Sequence, residues 1–407
     1  MANHSTQLLR ALRSHDFRLY FAGQFISLAG TWMQQIAMSW LAYSLTHSAF
    51  VLGLIGFASQ LPILAFGGFG GVWSDRVDRR RLLMWTQSLA MIQALLIAGL
   101  AWKGWISAPV LVSLAFILGC INAVDLPARQ SFVVYLVEDR EQLPNAIALN
   151  SMLINSTRFV GPALAGFVVA FMGEAVCFLI NALSYLAVLL ALRAIRARAG
   201  EGSAIPALQA LKEGLSYTFN HPDIRTCLLL IAAMGFLVTP YIVLMPIYAK
   251  NIFGGDASTF GTLISSTGAG SLMAGLYLAR RTSTIGLRRK VSISSVVSGA
   301  ALAVFALNGS LGFAYPILMV LGFSMIIAVA GGNTMIQTWV RDDMRGRVMA
   351  TFSMAFLGTA PLGSLAAGSL AHAVGVRPTL LACGLLAMLI GLVHAYRLRR
   401  RELLAGA

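Results

Sequence analysis

The chain has 407 residues, 58% of them hydrophobic and only 11% charged, with a net charge of +15. Soluble domains carry roughly a quarter charged residues, and a soluble protein of this length could not hide so much apolar surface. The basic residues sit in short connections between apolar stretches instead of clustering on one face, which argues against nucleic acid as a partner and for a lipid bilayer.

Twelve apolar segments follow in order, near 17–43, 49–73, 82–102, 107–127, 144–171, 174–194, 224–249, 258–279, 291–308, 311–338, 348–372 and 376–396. A membrane helix needs about 20 apolar residues. The first segment carries a polar stripe, Gln24, Ser27, Thr31, Gln34 and Gln35, at the three-to-four spacing of one helix face. Glutamines in a membrane rarely face lipid, so the stripe either lines a cavity or bonds helices together. The second and third segments meet at a tight charged hairpin, Gly71-Val72-Trp73-Ser74-Asp75-Arg76-Val77-Asp78-Arg79-Arg80-Arg81.

The fourth segment ends in Asp125 and Arg129, one helical turn apart and so on one face. Asp125 is the single acid placed inside any apolar segment, a candidate for a gate or for a proton site. The fifth carries Arg158 about 14 residues in, roughly 21 Å along the helix and beyond the midplane of a core about 30 Å thick. A lone arginine at such depth costs about 2.5–3.5 kcal/mol on insertion scales. It must face a wet cavity or a partner, and Asn150 and Asn155 are near by helical spacing. Weaker cavity candidates are Asn122, Asn181, Tyr185, Tyr241, Asn333 and Gln337.

The longest polar connection, 195–222, separates residues 1–194 from 223–407, each half holding six segments. Inside it, Leu208, Leu211, Leu215 and Phe219 recur at helical spacing, which predicts a short amphipathic helix over 207–219. The two halves echo each other. Gly71-x3-Asp75-Arg76 has a counterpart in Gly275-x3-Ala279-Arg280-Arg281. Gly161-Pro162-Ala163-Leu164-Ala165-Gly166 is echoed by Ala360-Pro361-Leu362-Gly363. Paired repeats with a substrate path between them are a known transporter plan.

With the N-terminus placed in the cytoplasm, 26 of the 30 Lys and Arg fall on that side. Three, Lys103, Lys250 and Arg377, fall opposite, and Arg158 lies within a helix. This bias predicts that both termini are cytoplasmic. The four cysteines (Cys120, Cys177, Cys227 and Cys383) lie in apolar stretches, and neither they nor the six histidines stand at metal-ligand spacing. They read as buried hydrophobes and interfacial residues, with no metal and no cofactor expected. There is no Ser/His/Asp arrangement, no catalytic carboxylate pair and no Gly-x4-Gly-Lys-Ser/Thr phosphate loop. Neither an enzyme nor an ATPase is expected. No cleavable signal peptide is expected either, because the first apolar stretch is too long and lacks a cleavage site.

The hairpin from Gly71 to Arg81 resembles the Gly-x3-Asp-Arg-x2-Arg-Arg loop signature of the major facilitator superfamily. Gly161-Pro162-x3-Gly166 resembles the Gly-Pro signature of its antiporter branch. Gly30-Thr31-Trp32-Met33-Gln34-Gln35, Asp125-Leu126-Pro127-Ala128-Arg129-Gln130, Leu143 to Asn150, Arg345-Gly346-Arg347-Val348 and Ala360-Pro361-Leu362-Gly363 resemble bacterial efflux permeases of the enterobactin-exporter type. The resemblance runs from about Phe17 to about Leu392. It implies an all-α membrane fold of twelve helices in two pseudo-symmetric six-helix bundles. It also implies a monomeric transporter of the bacterial inner membrane that exports drugs, siderophores or similar small molecules by alternating access, driven by protons. In that family Asp75 latches the halves on the cytoplasmic side. Gly71, Arg76, Arg79 and Arg129 are read as part of the same latch. A lipid or lysolipid translocase and a metabolite importer of the same fold are the alternatives.

Overall fold

The computed structural model describes residues 10–137, 142–195, 207–281, 283, 285–341 and 344–405, and among these the side chains of 68–76, 144, 207–211, 398–399 and 401–405 are not described. The spans are α1 (His15–Thr46), α2 (Ala49–Arg76), α3 (Arg79–Trp102), α4 (Ala108–Phe132), α5 (Leu143–Met172) and α6 (Glu174–Ala194). They continue as α7 (Pro222–Ile252), α8 (Ala257–Ala279), α9 (Leu287–Leu307), α10 (Leu311–Trp339), α11 (Arg345–Val374) and α12 (Val376–Ala405). No strand occurs among the described residues. Ten spans are long and apolar enough to cross a membrane. The other two, α1 and α8, match them in length but carry glutamines (α1) or a run rich in Ser, Thr and Gly (α8). Both lie against other helices, α1 on α5 and α6, α8 on α5 and α10, so that Gln24, Ser27 and Gln34 of α1 and Ser265, Thr267 and Ser271 of α8 are buried in protein.

Local sequence sets where the helices begin and turn. Ser14, Ser48, Asp78 and Asp256 cap the first turns of α1, α2, α3 and α8 with their side-chain oxygens. Arg80 caps an end instead of a beginning. Its Nε donates to the Leu192 carbonyl at 2.6 Å and its Nη2 to the Arg193 carbonyl at 2.8 Å, at the negative pole of α6. α5 passes to α6 through Gly173 at φ +83°, and α11 to α12 through Gly375 at φ +95°. A side chain would be strained at either position, so the two halves make the same turn with the same residue.

Two spans are interrupted. α7 holds π-helical turns at Met234–Val238 and Tyr248–Ile252, on either side of a short segment Tyr241–Ile247. Pro240 and Pro246 remove backbone donors here, and such turns absorb the mismatch. α11 breaks at Gly358 between Arg345–Leu357 and Thr359–Val374. The amphipathic helix expected at 207–219 is present as Ala207–Asn220. It packs on the start of α11, where Glu213 pairs with Arg347 at 2.8 Å, and leaves Phe219 exposed.

Twelve passes return the chain to the face from which α1 started, here called the terminal face. Across the molecule, α2 packs on α11 and α5 on α8. Both seams are made by glycine. A Cβ on Gly53 would lie 2.9 Å from the Gly368 Cα, and one on Gly166 would lie 3.0 Å from the Gly261 Cα. Small residues of this kind let membrane helices touch backbone to backbone. The largest apolar cluster draws on both halves toward the far face, with Tyr43, Phe178, Tyr248, Phe260 and Phe305 among its members. Toward the terminal face the described core divides by half. One cluster holds Phe17, Leu83, Phe132 and Leu192, and another holds Ile224, Ile336, Val348 and Phe352.

Candidate functional site at the seam between the halves

Asp125 sits on α4 with 1% of its surface exposed. Its Oδ1 accepts from Thr86 Oγ1 at 2.7 Å and Gln87 Nε2 at 2.8 Å, both on α3. Its Oδ2 accepts from Arg129 Nε at 3.0 Å and also from Arg129 Nη2. A buried ion pair survives its desolvation cost only when further hydrogen bonds satisfy the remaining lone pairs, and α3 supplies them. Tyr20 and Tyr185 lie within electrostatic reach of the pair. Arg129, read from sequence as part of the latch, is thus engaged by Asp125 inside the first half.

The polar stripe of α1 faces the same interior. Ser27 Oγ donates to Gln87 Oε1 at 3.4 Å, and Thr31 Oγ1 lies 3.5 Å from the Tyr185 hydroxyl. Gln34 Nε2 donates to Gln93 Oε1 at 2.9 Å, while Asn181 Nδ2 donates to Gln34 Oε1 at 2.6 Å. Gln24 is buried, and neither of its amide atoms has a hydrogen-bond partner among the described residues. Gln35 is exposed. The structure therefore brings Thr31, Gln34, Asn181 and Asp125 into one half, away from the seam.

Arg158 is placed differently. Its guanidinium carbon lies 5.4 Å from the centre of the Trp32 ring on α1, a cation–π contact. Its Nε is buried without a hydrogen-bond partner among the described residues. Tyr241 on α7 is within electrostatic reach. On α8, Gly268 lets the backbone come against α5, since a Cβ there would lie 2.7 Å from both the Arg158 carbonyl oxygen and the Phe159 Cα. The buried Thr267 hydroxyl beside it lies within reach of the Tyr241 hydroxyl. Helices from both halves thus surround one cation, and no carboxylate pairs with it among the described residues. Such a group attracts an anionic or acceptor-rich molecule.

The helix-five motif shapes the same region. A Cβ on Gly161 would lie 2.9 Å from the Ala29 carbonyl oxygen, so α5 rests on α1 beside Trp32. Pro162 lies inside α5, and Gly166 makes the seam with α8. Asn155 Nδ2 donates to the Ser151 carbonyl one turn back at 2.9 Å. Asn122 is half-buried on α4, Tyr241 is buried, and Asn333 and Gln337 pair with each other at 2.6 Å on α10. Of the latch residues, Gly71, Asp75 and Arg76 fall where side chains lie outside the described set. Arg79 is buried, with Nη1 donating to the Tyr135 hydroxyl at 2.9 Å.

Sequence reasoning missed the partners. Thr86, Gln87 and Gln93 looked like ordinary polar residues in an apolar helix, and their signal was only that polar groups there need a reason. It also missed the far-face contacts between halves. Asn251 Nδ2 donates to the Tyr43 hydroxyl at 2.6 Å, and the Trp40 and Phe260 rings stack at 6.2 Å.

Twelve spans in two linked halves, meeting at α2–α11 and α5–α8, define a secondary transporter of the major facilitator superfamily. The chain belongs to the family described as transmembrane secretion effector, which matches it over residues 6–406. It is a multi-pass membrane transporter of small molecules of the efflux type, not an enzyme. It is 27% identical to a staphyloferrin A transporter of Staphylococcus aureus, over 95% of this chain and 97% of that protein. It is 25% identical to the multidrug efflux pump Tap of Mycolicibacterium fortuitum, over 92% and 94%. In fold it is similar to a bacterial homologue of the human lysosomal transporter Spinster, solved inward-facing and unoccupied. The TM-score is 0.75 at 14% identity, covering 94% of this chain and 97% of that one.

Proposed function

We propose that the protein is a proton-coupled exporter of anionic or acceptor-rich amphipathic small molecules, of the siderophore or drug class, in a bacterial inner membrane. The observation that carries this reading is Arg158, a half-buried cation between the halves whose Nε is buried without a hydrogen-bond partner and which has no acidic partner among the described residues. Relatives named for staphyloferrin A and for multidrug efflux support the cargo class. The bias of Lys and Arg toward the terminal face supports cytoplasmic termini. On that orientation, the far-face closure and the divided core toward the termini correspond to an inward-open state, ready to take cargo from the cytoplasm.

Residues 1–194 and 223–407 would then act as two bodies joined by the 195–222 linker, in a monomer. Asp75, with Gly71, Arg76 and Arg79, would latch them on the cytoplasmic side. Asp125, which holds the Arg129 guanidinium inside the first half, would couple the cycle to protons, its protonation releasing Arg129. The test is metabolite profiling of medium and cells with the protein deleted and overexpressed. Deletion should trap an anionic or acceptor-rich compound inside and overexpression should deplete it. Unchanged pools in both directions would reject export.

A further inference from the structure

Between Asp256 and Asp342 the sequence contains no acidic residue, yet the end of α8 and the start of α9 carry Arg280, Arg281, Arg288, Arg289 and Lys290. The equivalent connection in the first half contains Asp75 and Asp78. Among the described residues, Arg288 is the one of these five cations paired with an acid, Asp223, at 2.7 Å. The hairpin is thus strongly cationic without a counter-ion of its own.

Two of these cations are already held in place. Lys290 Nζ donates to the Tyr277 hydroxyl at 2.6 Å and lies 5.3 Å from the centre of the Tyr277 ring. The Arg281 guanidinium donates to the Ser283 carbonyl at 3.1 Å and to the Ile285 carbonyl at 2.6 Å. Both side chains therefore spend part of their donor capacity on neutral oxygens and keep the rest. The neighbouring surface is apolar. Met273 and Leu276 on α8 and Ile293 on α9 are 53%, 41% and 50% exposed, and Ile285 at the hairpin tip is 86% exposed. Exposed apolar residues on spanning helices face hydrocarbon, and a tyrosine with basic neighbours below them sits at headgroup depth.

We propose that the α8–α9 hairpin binds the phosphate of an anionic phospholipid between Lys290 and Arg281, with the acyl chains along Met273, Leu276 and Ile293. The charge has one sign, Lys290 and Arg281 both reach the Tyr277 hydroxyl, and the adjoining surface suits a lipid tail and not a soluble partner. This site does not depend on the cargo reading, and its test needs no cargo.

The experiment is native mass spectrometry of the purified full chain, taken from membranes containing phosphatidylcholine with either phosphatidylglycerol or cardiolipin. The wild type should retain an anionic lipid adduct. Lys290→Ala and Arg281→Gln should each lower that retention about fivefold, the effect of one basic residue at a lipid surface. Lys290→Arg should restore it, and Arg289→Ala, exposed on the same hairpin, should leave it unchanged. Melting temperatures of the same samples keep misfolded variants out of the comparison. Equal losses from Arg289→Ala and Lys290→Ala would overturn the site in favour of diffuse attraction. Equal retention of phosphatidylcholine, or displacement of the adduct by inorganic phosphate, would overturn it as well.

Discussion

The guanidinium of Arg158 stands 5.4 Å from the centre of the Trp32 ring, so this cation rests on an aromatic face and not on a carboxylate among the described residues. A cation–π contact at a desolvated site is worth about 2 kcal/mol or more. It offsets part of the burial cost and leaves donor capacity for a second partner. We predict that Arg158→Ala weakens binding of anionic cargo by about tenfold or more, as expected when one partner of a buried charged contact is lost. Neutral cargo should be little affected. Arg158→Lys should restore only part, because an ammonium lacks the planar two-donor fork. Cargo affinity and melting temperature measured on the same variants check this, and a uniform loss that tracks stability would reject the cargo role.

Asp125→Asn should destabilise the protein by about 3–5 kcal/mol, because it leaves Arg129 buried without its charge partner. The double variant Asp125→Asn/Arg129→Gln should recover much of that loss in a melting experiment. Neither variant should support pH-driven efflux in proteoliposomes if Asp125 is the proton site. Persistent pH-driven efflux in the double variant would place coupling elsewhere.

Tyr43→Phe removes the bond from Asn251 that joins α1 to α7 at the far face. A hydrogen bond of this kind contributes about 1 kcal/mol. We predict that the population with an open far face rises about fivefold, which that energy implies. Spin-label distances between the far ends of α1 and α7 would report it, and an unchanged distribution would show that this bond does not hold the far face closed.

Gly261→Leu should prevent the far-face closure outright, since even a Cβ on Gly261 would lie 2.8 Å from the Gly166 Cα. The same distance measurement should show α5 and α8 held apart. Transport should fall while insertion and expression persist.

Asp75→Asn should abolish transport and leave the protein folded and inserted, given its place in the arginine-rich hairpin between α2 and α3. Near-wild-type efflux by a well-expressed variant would remove the latch role.

The helices were legible because hydropathy reports membrane spans directly. The linker helix was legible because Leu208, Leu211, Leu215 and Phe219 mark one face. What the sequence could not order was polar partnership. Asp125 and Gln87 are 38 positions apart, and Gln34 and Gln93 are 59 apart. Only the packing of α1, α3, α4 and α6 decides that these meet. The choice for the α1 stripe, cavity wall or interhelical bond, likewise depended on which way α1 is rotated. The π-turns of α7 and the break at Gly358 were hidden too, since Pro and Gly in a membrane helix are tolerated with or without a distortion. Arg158 stood out in the sequence for the reason it stands out in the fold, a charge at depth, but Trp32 and Gly268 as its surroundings come from tertiary contact alone.

The glycine seams bear on how the two halves can move. Where Gly53 meets Gly368 and Gly166 meets Gly261, backbone lies on backbone. Interdigitated surfaces must unmesh before they shift, as teeth do, whereas bare backbones in contact behave like two rollers. One half can tilt against the other while the line of touch migrates along it and remains closed to water. Resistance to tilting would then be concentrated at the two ends of the molecule. There Tyr43, Asn251, Trp40 and Phe260 join the halves at one rim, and the proposed latch of the arginine-rich hairpin would act at the other. Turnover would be tuned by those rims, with the midline serving as a bearing.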